Sequence, residues 1–301
     1  MVSAKRCYYD SGLPFSEVLA LTLDAIKDRV YIQNKVGLII IDGGLGQGKT
    51  TLGTHCADYC QGAYTKTDKG VYLFNSDEAI DFKRHIGTGG DDFKKKLRAC
   101  QKSKDVKVLI YDEAGDFNKR GSLSQFNARL NQIFEIYRAF QIVLIVILPS
   151  FRSLDGSLLE KEIPRLLIHT KDRGMTYGNF EMYSLKKMFF LLKNMKDLTI
   201  PSYAYKRETP TFQGHFLDLP KARAKQLDAF SISGKFDLLH MSNIREKGLM
   251  TYSQLAGRLN RSIPWVKKTI LKMKLKKAET FKRVNYFLPE VMDVLARELE
   301  K

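Results

Sequence analysis

IDGGLGQGKTTLGTH, residues Ile41–His55, follows directly on the apolar run Val36-Gly37-Leu38-Ile39-Ile40. Positions Gly43–Thr50 satisfy the spacing G-x-x-x-x-G-K-[ST]. The context fits as well, because a short β-rich run precedes the glycines and the segment from Lys49 to about Cys60 can continue as a helix. In a strand, glycine loop and helix, backbone N–H groups and a helix N-terminus point at phosphate oxygens. Gly43, Gly46 and Gly48 permit positive φ and close backbone approach. Gly44, Leu45 and Gln47 fill the loop between them, and Thr51 follows in the helix. Lys49 is expected to reach the β- and γ-phosphates, and the Thr50 hydroxyl to hold Mg²⁺.

A second landmark is VKVLIYDEAGD, Val106–Asp116. An apolar strand ending in two carboxylates brings them beside the phosphates at the carboxyl edge of a sheet. Asp112 is then expected to hold Mg²⁺ through water, and Glu113 to orient or deprotonate the attacking water. No N-K-x-D motif stands at a strand end, so ATP is a better nucleotide than GTP. The third landmark is the strand IVLIVILPSF, Ile142–Phe151. Ser150 at its tip has two readings, a sensor of the γ-phosphate or a turn residue after Pro149.

Around these landmarks, strands and helices alternate. A helix from Phe15 to about Gln33, with Ser16 as its cap, puts Leu19, Leu23, Ile26 and Val30 on one side. Strands are expected at Gly37–Ile41, Val71–Phe74, Val106–Tyr111, Ile142–Leu148 and Leu166–His169, and helices near Lys49–Cys60, Asp77–His85, Asp92–Gln101, Ser124–Phe140 and Leu154–Lys161. Apolar strands without alternation suit a parallel sheet covered on both faces. MTYGNFEMYSL, from Met175, reads as a hairpin around Gly178-Asn179, and KKMFFLL after it as strand or helix. Pro201 to Pro220, with three prolines, reads as a linker or irregular structure.

The chain has 50 Lys+Arg against 33 Asp+Glu, a net +17 over 301 residues. Such an excess points to nucleic acid or an acidic surface as partner. Ten basic residues and one acidic residue, Glu279, fall between Thr251 and Arg283. The four cysteines, Cys7, Cys56, Cys60 and Cys100, have neither metal-site spacing nor the density of a disulfide scaffold. Cys56 and Cys60 share a helix face and read as half-buried. No apolar run approaches the about 18 residues of a membrane span, and the N-terminus lacks a signal-peptide apolar stretch. These features exclude direct membrane insertion and suit a reducing cytoplasm.

Together, the P-loop at Gly43–Thr50, VYLFNSD, VLIYDEAGDFNKRG, FEIYRAFQIVLIVILPSFRSLDGSL and RLLIHTKDRG resemble P-loop ATPases of the FtsK/HerA group and their Zot-like relatives, over residues 36–185. Two departures stand out: Pro149-Ser150 occupies the place of the usual Gln, and the membrane segment typical of Zot-like proteins is missing. The resemblance implies a RecA-like core using ATP and Mg²⁺, with Lys49, Thr50, Asp112 and Glu113 in the roles given above. It also implies a homo-oligomer, since such ATPases work as rings in which an Arg of one subunit reaches the γ-phosphate of the next. Arg120, Arg129, Arg138, Arg152 and Arg165 are candidates, with Arg138 and Arg152 foremost. A membrane-anchored or capsid partner is compatible with this group.

From Phe236 onward a small domain of different character begins. Thr251 caps a helix through Leu259, and a second helix starts at Ser262 or Pro264 and runs to about Lys274. Leu255, Ala256, Leu259, Ile263, Val266, Ile270 and Met273 fit tight packing of two helices. Glu279–Pro289 alternates like a two-stranded wing. The whole resembles a winged helix–turn–helix domain. Arg261, Trp265, Lys267, Lys268, Lys272, Lys282 and Arg283 are its candidate DNA contacts, although Trp265 fits the core equally and such modules also bind proteins. Lysines favour phosphates over base edges, so modest sequence preference and steep salt dependence are expected.

The expected fold is α/β: a RecA-like P-loop NTPase core with a mostly parallel sheet, plus a C-terminal winged helix–turn–helix domain. The expected division is an N-terminal helical segment at 1–35, the core at 36–200, a linker or irregular extension at 201–235 and the DNA-binding domain at 236–301. Three functions remain open: a DNA motor for translocation, packaging or transfer of a mobile-element or viral genome; an ATP-switched DNA-binding initiator, loader or regulator; and a scaffold that binds nucleotide without hydrolysis.

Overall fold

The computed structural model describes residues 11–88, 90–100, 103, 105–112, 141–154, 156–171, 178–198, 203–231, 247–281 and 284–299. The expected helix at Ser124–Phe140 and the residues Cys7, Glu113, Arg120, Arg129, Arg138, Lys282 and Arg283 lie outside them. The chain forms two compact units, residues 1–230 and 231–301.

The first unit is built on β1 (Gly37–Gly43), a strand buried along its whole length. Leu38 and Ile40 join one apolar cluster, and Ile39 and Ile41 the other. That is the pattern of a strand covered on both faces. Around it run α1 (Glu17–Tyr31), α2 (Lys49–Gln61), the hairpin β2 (Tyr64–Lys66) and β3 (Tyr72–Phe74), α3 (Phe82–His85), β4 (Ile86–Thr88), α4 (Gly90–Cys100), β5 (Val108–Asp112), β6 (Val143–Ile147), α5 (Gly156–Glu160), β7 (Pro164–Lys171), β8 (Gly178–Ser184), α6 (Leu185–Asp197), α7 (Ala204–Arg207) and β9 (Phe212–Phe216). They form a seven-stranded sheet in the order β4-β5-β6-β1-β7-β8-β9. The first five strands are parallel; β8 and β9 are antiparallel additions. This is a mixed α/β fold with a mostly parallel central sheet.

Helices α1 and α2 cover one face through Leu19, Leu23, Ile26, Val30, Leu52 and Cys56. Helices α4, α5 and α6 cover the other through Phe93, Leu97, Leu158, Met188 and Leu191. KKMFFLL is therefore helical. From Leu52 to Gln61 every residue of α2 is buried, so its polar side chains need internal partners. Tyr59 donates to Asp24 (2.8 Å), Gln61 donates to the Asp105 carbonyl (2.7 Å), and Asp58 takes a two-point ion pair from Arg223. Cys56 and Cys60 are fully buried, not half-buried, and burial pushes the Cys60 thiol up to about 12.

Several expectations change. Val71–Phe74 does not enter the central sheet: among the described residues β3 pairs with β2 alone. Asp77–His85 is broken into a 3-10 turn, Ser76–Glu78, and α3, because Asn75 and Asp81 each cap a separate turn. The linker expected at 201–235 supplies α7, β9 and a helical run at 221–230. Pro210 and Pro220 fall outside the strand they flank, where a missing N–H costs no ladder bond. The N-terminal segment is part of the same unit, since Phe15 is fully buried and bridges Phe216. Ser16 does not cap α1 with its side chain; its hydroxyl accepts the His215 N–H at 2.9 Å.

The second unit contains β10 (Met250–Thr251), α8 (Tyr252–Arg258), α9 (Ile263–Lys272), β11 (Glu279–Phe281), β12 (Val284–Phe287) and α10 (Glu290–Leu299). The strands pair antiparallel in the order β10-β12-β11. Thr251 and Gln254 form a reciprocal capping box, and the Ser262 hydroxyl accepts the Trp265 N–H at 3.3 Å. Leu255, Ala256, Val266 and Ile270 are buried with Met250, Phe287 and Leu295. Ile263, expected in this core, is exposed.

His55, on α2, joins the core to the segment that had looked like a linker: its Nε2 lies 3.0 Å from the Leu217 carbonyl. Burial lowers its pKa to about 4, against the opposing Leu217 bond, and the Arg223 charge adds to the lowering. The unfolded chain, near 6.5, therefore takes up this proton first as pH falls. The neutral ring's contribution is complete above about pH 6.5 and lost by about pH 4, roughly 3 kcal/mol. Denaturant unfolding across that range should show the fall, and His55→Gln should flatten it. Equal slopes in the two proteins would assign the loss to another group.

Candidate functional site

The site is assembled at the carboxyl edge of the sheet, where Ile41, Asp112 and Ile147 stand level across β1, β5 and β6. The motif adopts the conformations its glycines allow: φ is +146° at Gly43, +75° at Gly46 and +79° at Gly48. Gly43 has a second reason to lack a side chain, because a Cβ there would fall on the hydroxyl and carbonyl oxygens of Thr170. Gly44, Leu45 and Gly46 form the exposed crown of the loop, which Gln47 closes by accepting the Gly44 N–H at 2.5 Å. Gly48 then caps α2 without any side-chain bond, and no acidic residue enters the first turn. That turn leaves its N–H groups and dipole facing the loop, as anion binding requires.

Lys49 Nζ folds over this loop and donates to the carbonyls of Gly43 (2.7 Å) and Gly44 (2.6 Å). Its pKa is lowered by burial, an effect opposed by the carboxylates of Asp42 and Asp112. The Thr50 hydroxyl donates to Asp112 Oδ2 at 3.2 Å, so a strand end and a helix start 62 residues apart in sequence converge on one point. One hydroxyl and one carboxylate suit Mg²⁺, which takes its remaining ligands from phosphate oxygens and water. Among the described residues no group of three or more His, Cys, Asp or Glu could hold a metal by itself. Thr51 is half-buried in the next position of α2.

Ser150 lies on the same edge, at the start of a 3-10 turn, Phe151–Ser153, and its hydroxyl accepts the Arg152 N–H at 3.3 Å. The turn reading therefore has a concrete bond. Arg152 is exposed beside it. Arg165 sits at the opposite edge, near the Leu38 end of β1, where burial and the Arg29 charge lower its pKa. Glu113 and Arg138 lie outside the described residues.

One buried polar group beside the loop was not singled out in the sequence. Asp42, immediately before the motif, is only 1% exposed. It accepts the Phe151 N–H (2.8 Å) and the Tyr205 hydroxyl (2.6 Å) on Oδ2, while His169 Nδ1 stands 2.8 Å from Oδ1. The Asp42 carbonyl takes the Thr170 hydroxyl at 3.0 Å. The His169 ring stacks on Tyr205 at 3.6 Å between centroids. The available signal was a carboxylate following an otherwise apolar stretch of β1, together with a histidine after the apolar run of RLLIHT.

In the second unit, Lys267 and Lys268 are exposed on α9, and Lys267 lies over the Tyr252 ring. Trp265 is half-buried against the core with the Arg261 guanidinium 5.9 Å from its ring centroid. Lys272 turns toward α10 and pairs with Glu298 at 3.0 Å. Lys282 and Arg283 are outside the described residues.

Among solved structures, the chain is similar to the N-terminal domain of zonular occludens toxin from Neisseria meningitidis, at 16% identity and a TM-score of 0.30, over 50% of this chain and 84% of that one. No family model and no curated protein matches the sequence. The chemistry of the site is accordingly read from its own atoms.

Gly43→Ala should destabilise the protein far more than Gly46→Ala. The first combines a forbidden φ with the Thr170 clash, whereas a Cβ at Gly46 meets nothing within 4 Å and leaves only backbone strain, about 1–2 kcal/mol. Thermal unfolding of the two variants compares them directly; equal losses would remove Thr170 from the explanation.

Proposed function

We propose that this protein is a Mg²⁺-dependent ATPase that acts on DNA, as a motor for translocation, packaging or transfer of a mobile-element or viral genome. The observation that carries the reading is the convergence of the Thr50 hydroxyl and the Asp112 carboxylate at 3.2 Å, at the mouth of a glycine loop with Lys49 folded over it. The loop amides and Lys49 bind and orient the phosphates; Thr50 and Asp112 would hold the metal, which would supply compensating positive charge. Glu113, next in sequence, deprotonates or orients the attacking water. Placement of β6 between β1 and β5 supports an additional-strand, RecA-like core. Arg152, exposed on the phosphate edge, is the favoured residue to act across a ring interface, ahead of Arg165.

The second unit is read as a winged helix–turn–helix: α8 and α9 form the helical pair and β11–β12 the wing. Lys267 and Lys268 supply phosphate contacts, and Lys272 contributes less because Glu298 holds it. The switch reading is disfavoured by one observation. Initiator ATPases of this kind carry a helical lid between core and winged helix, whereas residues 178–184 and 212–216 continue the central sheet.

Purified protein should hydrolyse ATP, and duplex DNA should stimulate it several-fold. Glu113→Gln should lower turnover about 100-fold or more while ATP binding persists; normal turnover in that variant removes Glu113 as the base. Replacing Lys267 and Lys268 by Ala should weaken duplex binding and reduce the salt slope by about two. An unchanged slope would move the DNA contact elsewhere.

A further inference from the structure

We infer that Asp42 is a positioning residue for the ATPase site: its carboxylate ties the Ser150–Arg152 turn at the tip of β6 to the strand that launches the phosphate loop. The inference rests on the ATPase reading above.

Asp42 ends the alternation of β1 on the side of Leu38 and Ile40, the face opposite α2. An apolar side chain would fill that position without desolvating a charge. A buried carboxylate there is costly unless every lone pair finds a donor, and removal of one donor leaves an uncompensated charge. Three donors converge on it from three separate parts of the chain: the Phe151 amide after β6, His169 on β7 and Tyr205 on α7. Each of these flanks the phosphate edge, and Gly43, the first residue of the loop, is the next residue after Asp42.

The Phe151 bond has the most direct consequence. Two successive amides of one turn are pinned: Phe151 N–H by Asp42 and Arg152 N–H by the Ser150 hydroxyl. The directions in which Ser150 and Arg152 leave β6 are thereby referred to β1 itself. The His169 ring, stacked on Tyr205, holds the other carboxylate oxygen. Rigid support of this kind is what catalysis by orientation demands, since a misplacement of about 1 Å can cost about 100-fold in rate.

The test uses the full chain with Asp42→Asn and, independently, Tyr205→Phe. Asparagine keeps the size of Asp42 but not its charge or its second acceptor; phenylalanine removes one donor and keeps the stacked ring. The readouts are mant-ATP affinity, and kcat and KM for ATP hydrolysis. The expected result for Asp42→Asn is a 10- to 100-fold fall in kcat with mant-ATP affinity within threefold of wild type. Tyr205→Phe should show a smaller fall of the same kind. Unchanged kcat in a folded Asp42→Asn protein overturns the inference, and so does a parallel loss of affinity and turnover, which a general structural role would produce. If Asp42→Asn does not fold, Tyr205→Phe and His169→Gln are judged by the same split. Failure of wild-type protein to bind mant-ATP or hydrolyse ATP would overturn the ATPase reading itself, and is seen before any variant is made.

Discussion

A strand buried on both faces must find apolar neighbours on each, and β1 is such a strand along all seven of its residues. It cannot lie at an edge or face water, so the sheet is assembled around it: β6 on one side, β7 on the other, helices above and below. Its burial also dictates the path of the backbone beyond it. A chain leaving the centre of a covered sheet has to turn sharply back over one face, and Gly43, Gly46 and Gly48 supply the backbone conformations for that turn. The phosphate loop is thus the exit route of the most buried strand.

The same constraint accounts for the ion pairs of the interior. Helix α2 starts at the loop and is buried from Leu52 to Gln61, so several of the polar groups it carries bond to distant segments: Asp24 on α1, Arg223 beyond β9, and backbone groups around Asp105 and Lys107. Each of these bonds fixes the helix whose first turn faces the site. Burial of polar side chains adds little net stability, because desolvation offsets much of the attraction. It does select one arrangement among many.

The parts of this structure written in local pattern could be read from the sequence: the glycine loop, β5 ending at Asp112, the apolar β6 and β7, and the capped helices of the second unit. Thr251 with Gln254 and Ser262 ahead of Pro264 are signals of a few residues, and the helices start where those signals stand. The elements that depend on remote partners were harder to see. Strand β9 is short, flanked by prolines and half-exposed, and is a strand because β8 offers it a ladder. Phe15 is buried because Phe216 and α2 are there to receive it. The role of Asp42 had no local signal of its partners, since nothing in a linear sequence brings Phe151, His169 and Tyr205 to one carboxylate. Asp77–His85 failed for the opposite reason: helical composition was overridden by two local caps, Asn75 and Asp81.

The two borders of the central sheet are finished differently. At one, β4 is only three residues long. At the other, the backbone of β9 is sealed by the residues before α1: Ser16 N–H donates to the His215 carbonyl and Leu217 N–H to the Pro14 carbonyl, each at 3.0 Å. Exposed ladders invite a stranger's strand, and natural sheets blunt them by shortness or by a cover. Here the cover is the short segment that leads into α1. Copies of this chain therefore have little backbone to offer one another along the described borders of the central sheet.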